Sequence, residues 1–174
     1  MNPLRYTDDA DRAYGAAGMA IGLVAFDGEE YITSIDIDRE PDDILELRDD
    51  FYFSGNPEFS AKSAWNRMLH NYNLSLVMLI SNIMCRDRVQ NRLTVSSDLH
   101  KLIRSTAFDE GRDACGLDQD EFDRLFEKDF NYLNRLFSHY GVKNVADDFA
   151  RSISSRRFLS HMEILDSLQA LQML

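Results

Sequence analysis

Residues 74–84 read LSLVMLISNIM, eight apolar side chains in eleven positions, interrupted only by Ser75, Ser81 and Asn82. Arg86, Asp87 and Arg88 follow after Cys85 in a 174-residue chain whose net charge is −11. Such a run is a membrane segment, the middle of a core, or a surface that another chain covers. A membrane helix takes about 20 consecutive apolar residues, so the run is too short to span. Upstream and through it, Ala61, Trp65, Met68, Tyr72, Leu76, Leu79 and Ile83 recur every three or four positions, which predicts a helix. From Leu74 onward Val77, Met78, Ile80 and Met84 fill its remaining sides. A helix that is apolar all round is buried all round. The run therefore predicts a central helix, enclosed by its own chain or by a second subunit.

Working outward toward the C-terminus, the pattern stays helical. Thr94 to Ser97 supply caps for a helix carrying Val95 or Leu99, Leu102, Ile103 and Phe108, with Cys115 in a following loop, GRDACG. Asp118 opens an amphipathic helix whose stripe is Phe122, Leu125, Phe126, Leu133, Leu136, Phe137 and Tyr140, with Gly141 as its stop. Asn144 is the cap expected for a short helix through Val145 and Phe149. A last helix from about Ser155 presents Phe158, Met162, Leu165 and Leu168 on one face. The apolar ending LQALQML is expected to lie in a groove.

Toward the N-terminus the signals are mixed. Thr7 followed by DDADRAY predicts a helix start, a Thr cap with acids in the first turn. In AYGAAGMAIGLVAF the glycines weaken a helix, and Asp27-Gly28 is the favoured pair for a tight hairpin turn. Tyr31, Thr33, Ile35 and Ile37 then alternate with Glu30, Ser34, Asp36 and Asp38. The reading is a hairpin of strands at 19–26 and 30–37. Pro41, with Asp42 and Asp43, predicts a short helix whose stripe is Ile44, Leu47 and Phe51. SGNP at 54–57 breaks the pattern, and Asn56-Pro57-Glu58 can cap the next helix.

Charge changes at the same place. Residues 1–58 hold 15 acids and 4 bases and so carry the whole net charge, whereas residues 59–174 hold 15 of each. The expected organisation is an acidic N-terminal appendage over 1–56 and a helical body over 57–174. The fold class is mainly α, a bundle of five or six helices with a small N-terminal β-hairpin. An apolar content of 44% supplies a core for a chain of this length. The acidic start MNPLRYTDDADR lacks the basic opening of a secretory signal. Cys85 and Cys115 form no CxxC pair, and both read as free thiols of a soluble cytoplasmic protein.

Candidate chemistry is sparse. His70, His100, His139 and His161 have no Asp, Glu, His or Cys three or four residues away, the spacing a helical metal site uses. Asp36, Asp38, Glu40 and Asp42 alternate, so on a strand they could share a face and hold a hard cation, but an exposed hairpin explains the same alternation. Asp120, Asp123 and Glu127 line one helix face, with Arg124 and Lys128 spaced to pair with it. No GxSxG, SxxK or GxxxxGK motif occurs. Arg86, Arg88, Arg92, Lys101 and Arg104 are the candidate phosphate-contacting cations, although a chain with pI near 4.7 repels a polyanion at long range. The residues assign no catalytic group, cofactor or metal. They point to a non-catalytic interaction or scaffold protein forming a homodimer through apolar helix surfaces. The alternatives are an acidic inhibitor, immunity or adaptor protein engaging a basic partner, and a metal-dependent enzyme with carboxylates from several helices.

Overall fold

The computed structural model describes residues 2–52 and 61–174. Among these are seven α-helices, one of them long and central, and a three-stranded antiparallel sheet that closes one side. The fold is thus mainly α with an N-terminal β-hairpin. The SGNP break and the Asn56-Pro57-Glu58 cap lie outside the described residues.

The central helix is α3, Ala61–Met84, which runs directly into a six-residue π-helical turn, Cys85–Gln90. Leu74, Val77, Ile80 and Met84 are fully buried, and Leu76 and Ile83 nearly so. The enclosing neighbours come from the same chain: α1 (Asp9–Ala25), α4 (Ser97–Cys115) and α5 (Gln119–Leu136). Of the apolar side chains in the 74–84 run, only Met78 and Leu79 stay half-buried.

Helix α1 replaces the strand read at 19–26. Its glycines are compatible with a helix because α3 lies against them. A Cβ on Gly18 would overlap the Ser81 carbonyl, and one on Gly22 the Ser81 hydroxyl. Close helix packing here offsets the cost of glycine in a helix interior, roughly 1 kcal/mol each. The cap is Asp8, whose side chain accepts the Asp11 N–H at 2.8 Å, rather than Thr7. The chain does turn at Asp27, with φ at 57°, but out of a helix.

The observed hairpin is β1 (Ile32–Asp36) with β2 (Leu45–Leu47), and β1 also pairs on its other edge with β3 (Phe158–Ser160). An irregularity between Ile32 and Ser34 inverts the alternation there, so Ile32, Ile35 and Ile37 face the core while Thr33 is exposed. Pro41 starts only a 3-10 turn, Pro41–Asp43, before Leu45 and Leu47 pair as a strand. The helix expected there is reduced to one turn, α2 (Asp49–Tyr52). An available strand edge and two inward leucines outweigh a local helix-start signal.

The remaining helices are α6 (Tyr140–Arg156) and α7 (His161–Leu168). Cys115 is the last residue of α4 rather than a loop residue, and Gly116 in the left-handed conformation, φ 62°, ends that helix. Asp118 and Glu121 form a full capping box at the start of α5. Helix α5 stops before Gly141, which lies in the first turn of α6, and Tyr140 faces solvent. Asn144 is inside α6 and does not cap a helix. The strand at 158–160 shifts the last helix, so Ile164 and Leu168 are its buried face while Phe158 and Met162 are exposed. Buried residues from Ala13 through Leu168 form one continuous core that includes both the sheet and the helices.

Candidate functional site

The π-helical turn after α3 carries Arg86 into the protein. Its Nη2 lies 2.9 Å from Asp11 Oδ2 and 2.7 Å from the Arg5 carbonyl. Asp11 also accepts the Thr7 backbone N–H and hydroxyl at 3.0 and 2.9 Å. The guanidinium sits 5.1 Å from the Tyr6 ring centroid, and Asn82 Nδ2 donates to the Tyr6 hydroxyl at 2.7 Å. Burial by itself pushes the Asp11 carboxyl up. The hydrogen bonds from Arg86 and Thr7 outweigh it and hold Asp11 below the usual carboxylate range. This network ties the N-terminal segment 5–11 to the end of α3.

Beside it runs a cleft of about 870 Å³. The half-buried face of α3 (Met78, Leu79) joins Ile83, Met19 of α1, and Leu45 and Leu47 of the sheet as its apolar lining. The loop between β1 and β2 contributes Glu40 and Asp42 to the rim. Arg12 is also there, but its guanidinium donates to the carbonyls of Ile37 and Arg39. Arg5 leaves one further cation on this rim. A second cavity of about 490 Å³ lies between α1, the end of α5 and the C-terminal 3-10 turn (Gln169–Met173), with Leu171 and Leu174 among its lining.

The residues singled out in the sequence are scattered. His100 packs edge-on to Phe126 and Phe130 and lies 3.7 Å from Glu127. His139 caps α6, accepting the Gly141 N–H, His161 Nδ1 is 2.6 Å from the Ile32 carbonyl, and His70 is exposed. Among the described residues, no three His, Cys, Asp or Glu side chains converge as metal ligands. Asp36 pairs with Arg39, whereas Asp38, beyond the strand, meets Arg157, whose hydrogen bonds lower its carboxyl. The alternation Asp36–Asp38–Glu40 thus runs off the strand into a loop. On α5, Asp123 pairs with Arg104, and neither Asp120 nor Lys128 has an ion pair among the described residues. Both cysteines are free and buried, and burial pushes each thiol up, away from the thiolate.

The basic residues do not form one surface. Arg86 is internal and Arg104 is paired, while Arg88 and Arg92 line a separate cavity together with Lys143.

Sequence reading missed Asp129 on α5. Its side chain is completely buried, neither carboxylate oxygen has a hydrogen-bond partner among the described residues, and burial pushes its pKa up to about 6. The signal was present, since residue 129 falls on the stripe between Phe126 and Leu133 at helical spacing.

No protein-family model matches this sequence, and no curated protein or solved structure matches it significantly.

Proposed function

We propose that this is a non-catalytic interaction protein whose α3 cleft takes one apolar face of a basic amphipathic helix from another chain. The cleft itself carries the reading. Its floor is apolar and includes two methionines, Met19 and Met78, side chains that adapt to varied partners. Helix-in-groove recognition uses such a floor. The rim beside it carries Glu40 and Asp42, with Asp43 next in sequence, and none of the three has an ion pair among the described residues. The net charge of −11 lies in the chain segment that builds this wall. It would steer a cationic partner inward and slow an anionic one.

The test is fluorescence anisotropy with a labelled model helix bearing leucine on one face and lysine on the other. The intact chain should bind it saturably. Leu79→Ser, and separately the pair Glu40→Gln/Asp42→Asn, should each weaken binding about tenfold, near 1.4 kcal/mol. Equal affinity for the intact chain and both variants overturns the reading.

Self-association is the second reading. It is supported by Tyr140, Met173 and Leu174, all strongly exposed, with Leu174 lying against Gly141 beside the C-terminal cavity. Burial of this patch in a homodimer would give a particle near 40 kDa in sedimentation equilibrium, against the chain's own 20.1 kDa. Leu174→Ser together with Tyr140→Ser should return it to monomer.

A further inference from the structure

Where α3 ends, three cations from two distant parts of the chain face one cavity of about 290 Å³. Arg88 comes from the π-helical turn, Arg92 from the residues just after it, and Lys143 from the second turn of α6. Among the described residues, none of the three side chains has a hydrogen bond or an ion pair. The other arginines of this basic stretch are used: Arg86 holds Asp11 and Arg104 holds Asp123. Arg88 Nε is buried without an acceptor among the described residues, as are the Nε atoms of Arg86 and Arg104. The one carboxylate at this cavity, Asp147, already accepts the Tyr14 hydroxyl at 2.7 Å.

The backbone is unusual at the same place. A six-residue π-helical turn is rare, and such turns occur frequently at functional sites. Arg92 has φ 56°, the left-handed region where glycine or asparagine ordinarily stands. An arginine kept there at a conformational cost is a reason to look for a use of its charge.

We infer that this cavity binds a phosphate group, free or carried on a small ester, gripped by Arg88, Arg92 and Lys143. Arginine matches phosphate oxygens in a fork, and lysine adds a point charge. Thr94 and Asn144 supply further polar groups at the cavity wall. Its volume lies at the small end of ligand sites, which fits a phosphate or a mononucleotide and excludes a peptide helix. Long-range repulsion from the acidic chain disfavours nucleic acid and leaves a small anion as the occupant. Tyr140, 79% exposed, and Leu93, 61% exposed, stand at the rim where the organic part of an ester would rest.

Isothermal titration calorimetry of the full chain at low ionic strength tests this, with inorganic phosphate and adenosine 5′-monophosphate as probes. Saturable binding of at least one probe is expected, weakened tenfold or more in Arg92→Gln/Lys143→Gln and unchanged in Lys101→Gln. Equal affinity for the two probes assigns the site to free phosphate. Tighter binding of the nucleotide, lost in Tyr140→Ser, assigns it to an ester. Arg92→Gly separates binding from folding. It relieves the left-handed strain, so it should raise the melting temperature by a few degrees while still weakening the probe. No saturable binding of either probe, or binding that none of the Arg92 and Lys143 variants weakens, overturns the assignment.

Discussion

Asp11 and Arg86, 75 residues apart in the chain, meet at 2.9 Å with both side chains 8% exposed. The pair fastens the start of α1 to the end of α3, so it reports on docking of the N-terminal segment. Removing one member leaves a buried charge without its partner, which costs about 3–5 kcal/mol. Arg86→Ala should therefore destabilise strongly in urea titration. Asp11→Asn/Arg86→Met should lose less than the arginine variant does, because neither charge remains to be desolvated.

The same pair has an acid limit. The Asp11 carboxyl is held below its ordinary range in the folded state, so its contribution is fully present above the unfolded-state pKa, about 3.9. It is lost as pH falls through the lower folded value. In Arg86→Ala this acid-limb loss should shrink, measured as the midpoint of unfolding between pH 5 and pH 2.

Asp129 behaves in the opposite sense. Its pKa of about 6 exceeds the unfolded value, so the neutral form is favoured by the fold. Stability should rise as pH falls from 8 through 6 toward 4, as the proton binds. The difference between the two values amounts to roughly 3 kcal/mol at pH 8. Asp129→Asn should recover much of that at pH 8 and flatten the pH dependence over this range, by chemical denaturation at several pH values.

Gly18 separates a propensity effect from a packing effect. At an exposed helical position Gly→Ala stabilises by up to about 1 kcal/mol. Here the added methyl meets the Ser81 carbonyl and the Cys85 side chain. Overpacking of this kind costs about 1–3 kcal/mol, so Gly18→Ala should lower the denaturation midpoint despite the better helix former.

Two neighbours on α3 should respond differently to a carboxylate. Ile80 is fully buried and Leu79 lies half-buried on the cleft. Ile80→Asp should abolish the folded state, since an unpaired buried charge exceeds typical domain stability. Leu79→Asp should retain helical circular dichroism with a reduced midpoint, because its carboxylate can reach water through the cleft.

What the sequence determined alone was whatever depends on near neighbours. The central helix was legible because Leu74–Met84 is apolar at every phase of the helical period. The α5 stripe Phe122–Phe126–Leu133 and its start at Asp118 were legible because helix start and stripe lie within a few turns of each other. Tertiary structure decided the rest. Residues 19–25 are helical because α3 supplies a surface that glycine and alanine can approach. Leu45–Leu47 and Phe158–Ser160 are strands because both pair with Ile32–Asp36, one of them from more than 120 positions away. The burial of Arg86, and the convergence of Arg88 and Arg92 with Lys143, depend in the same way on which helices pack together. Local periodicity specifies which face of an element is apolar, but the partner of that face, and the company of each charge, come only from the assembled core.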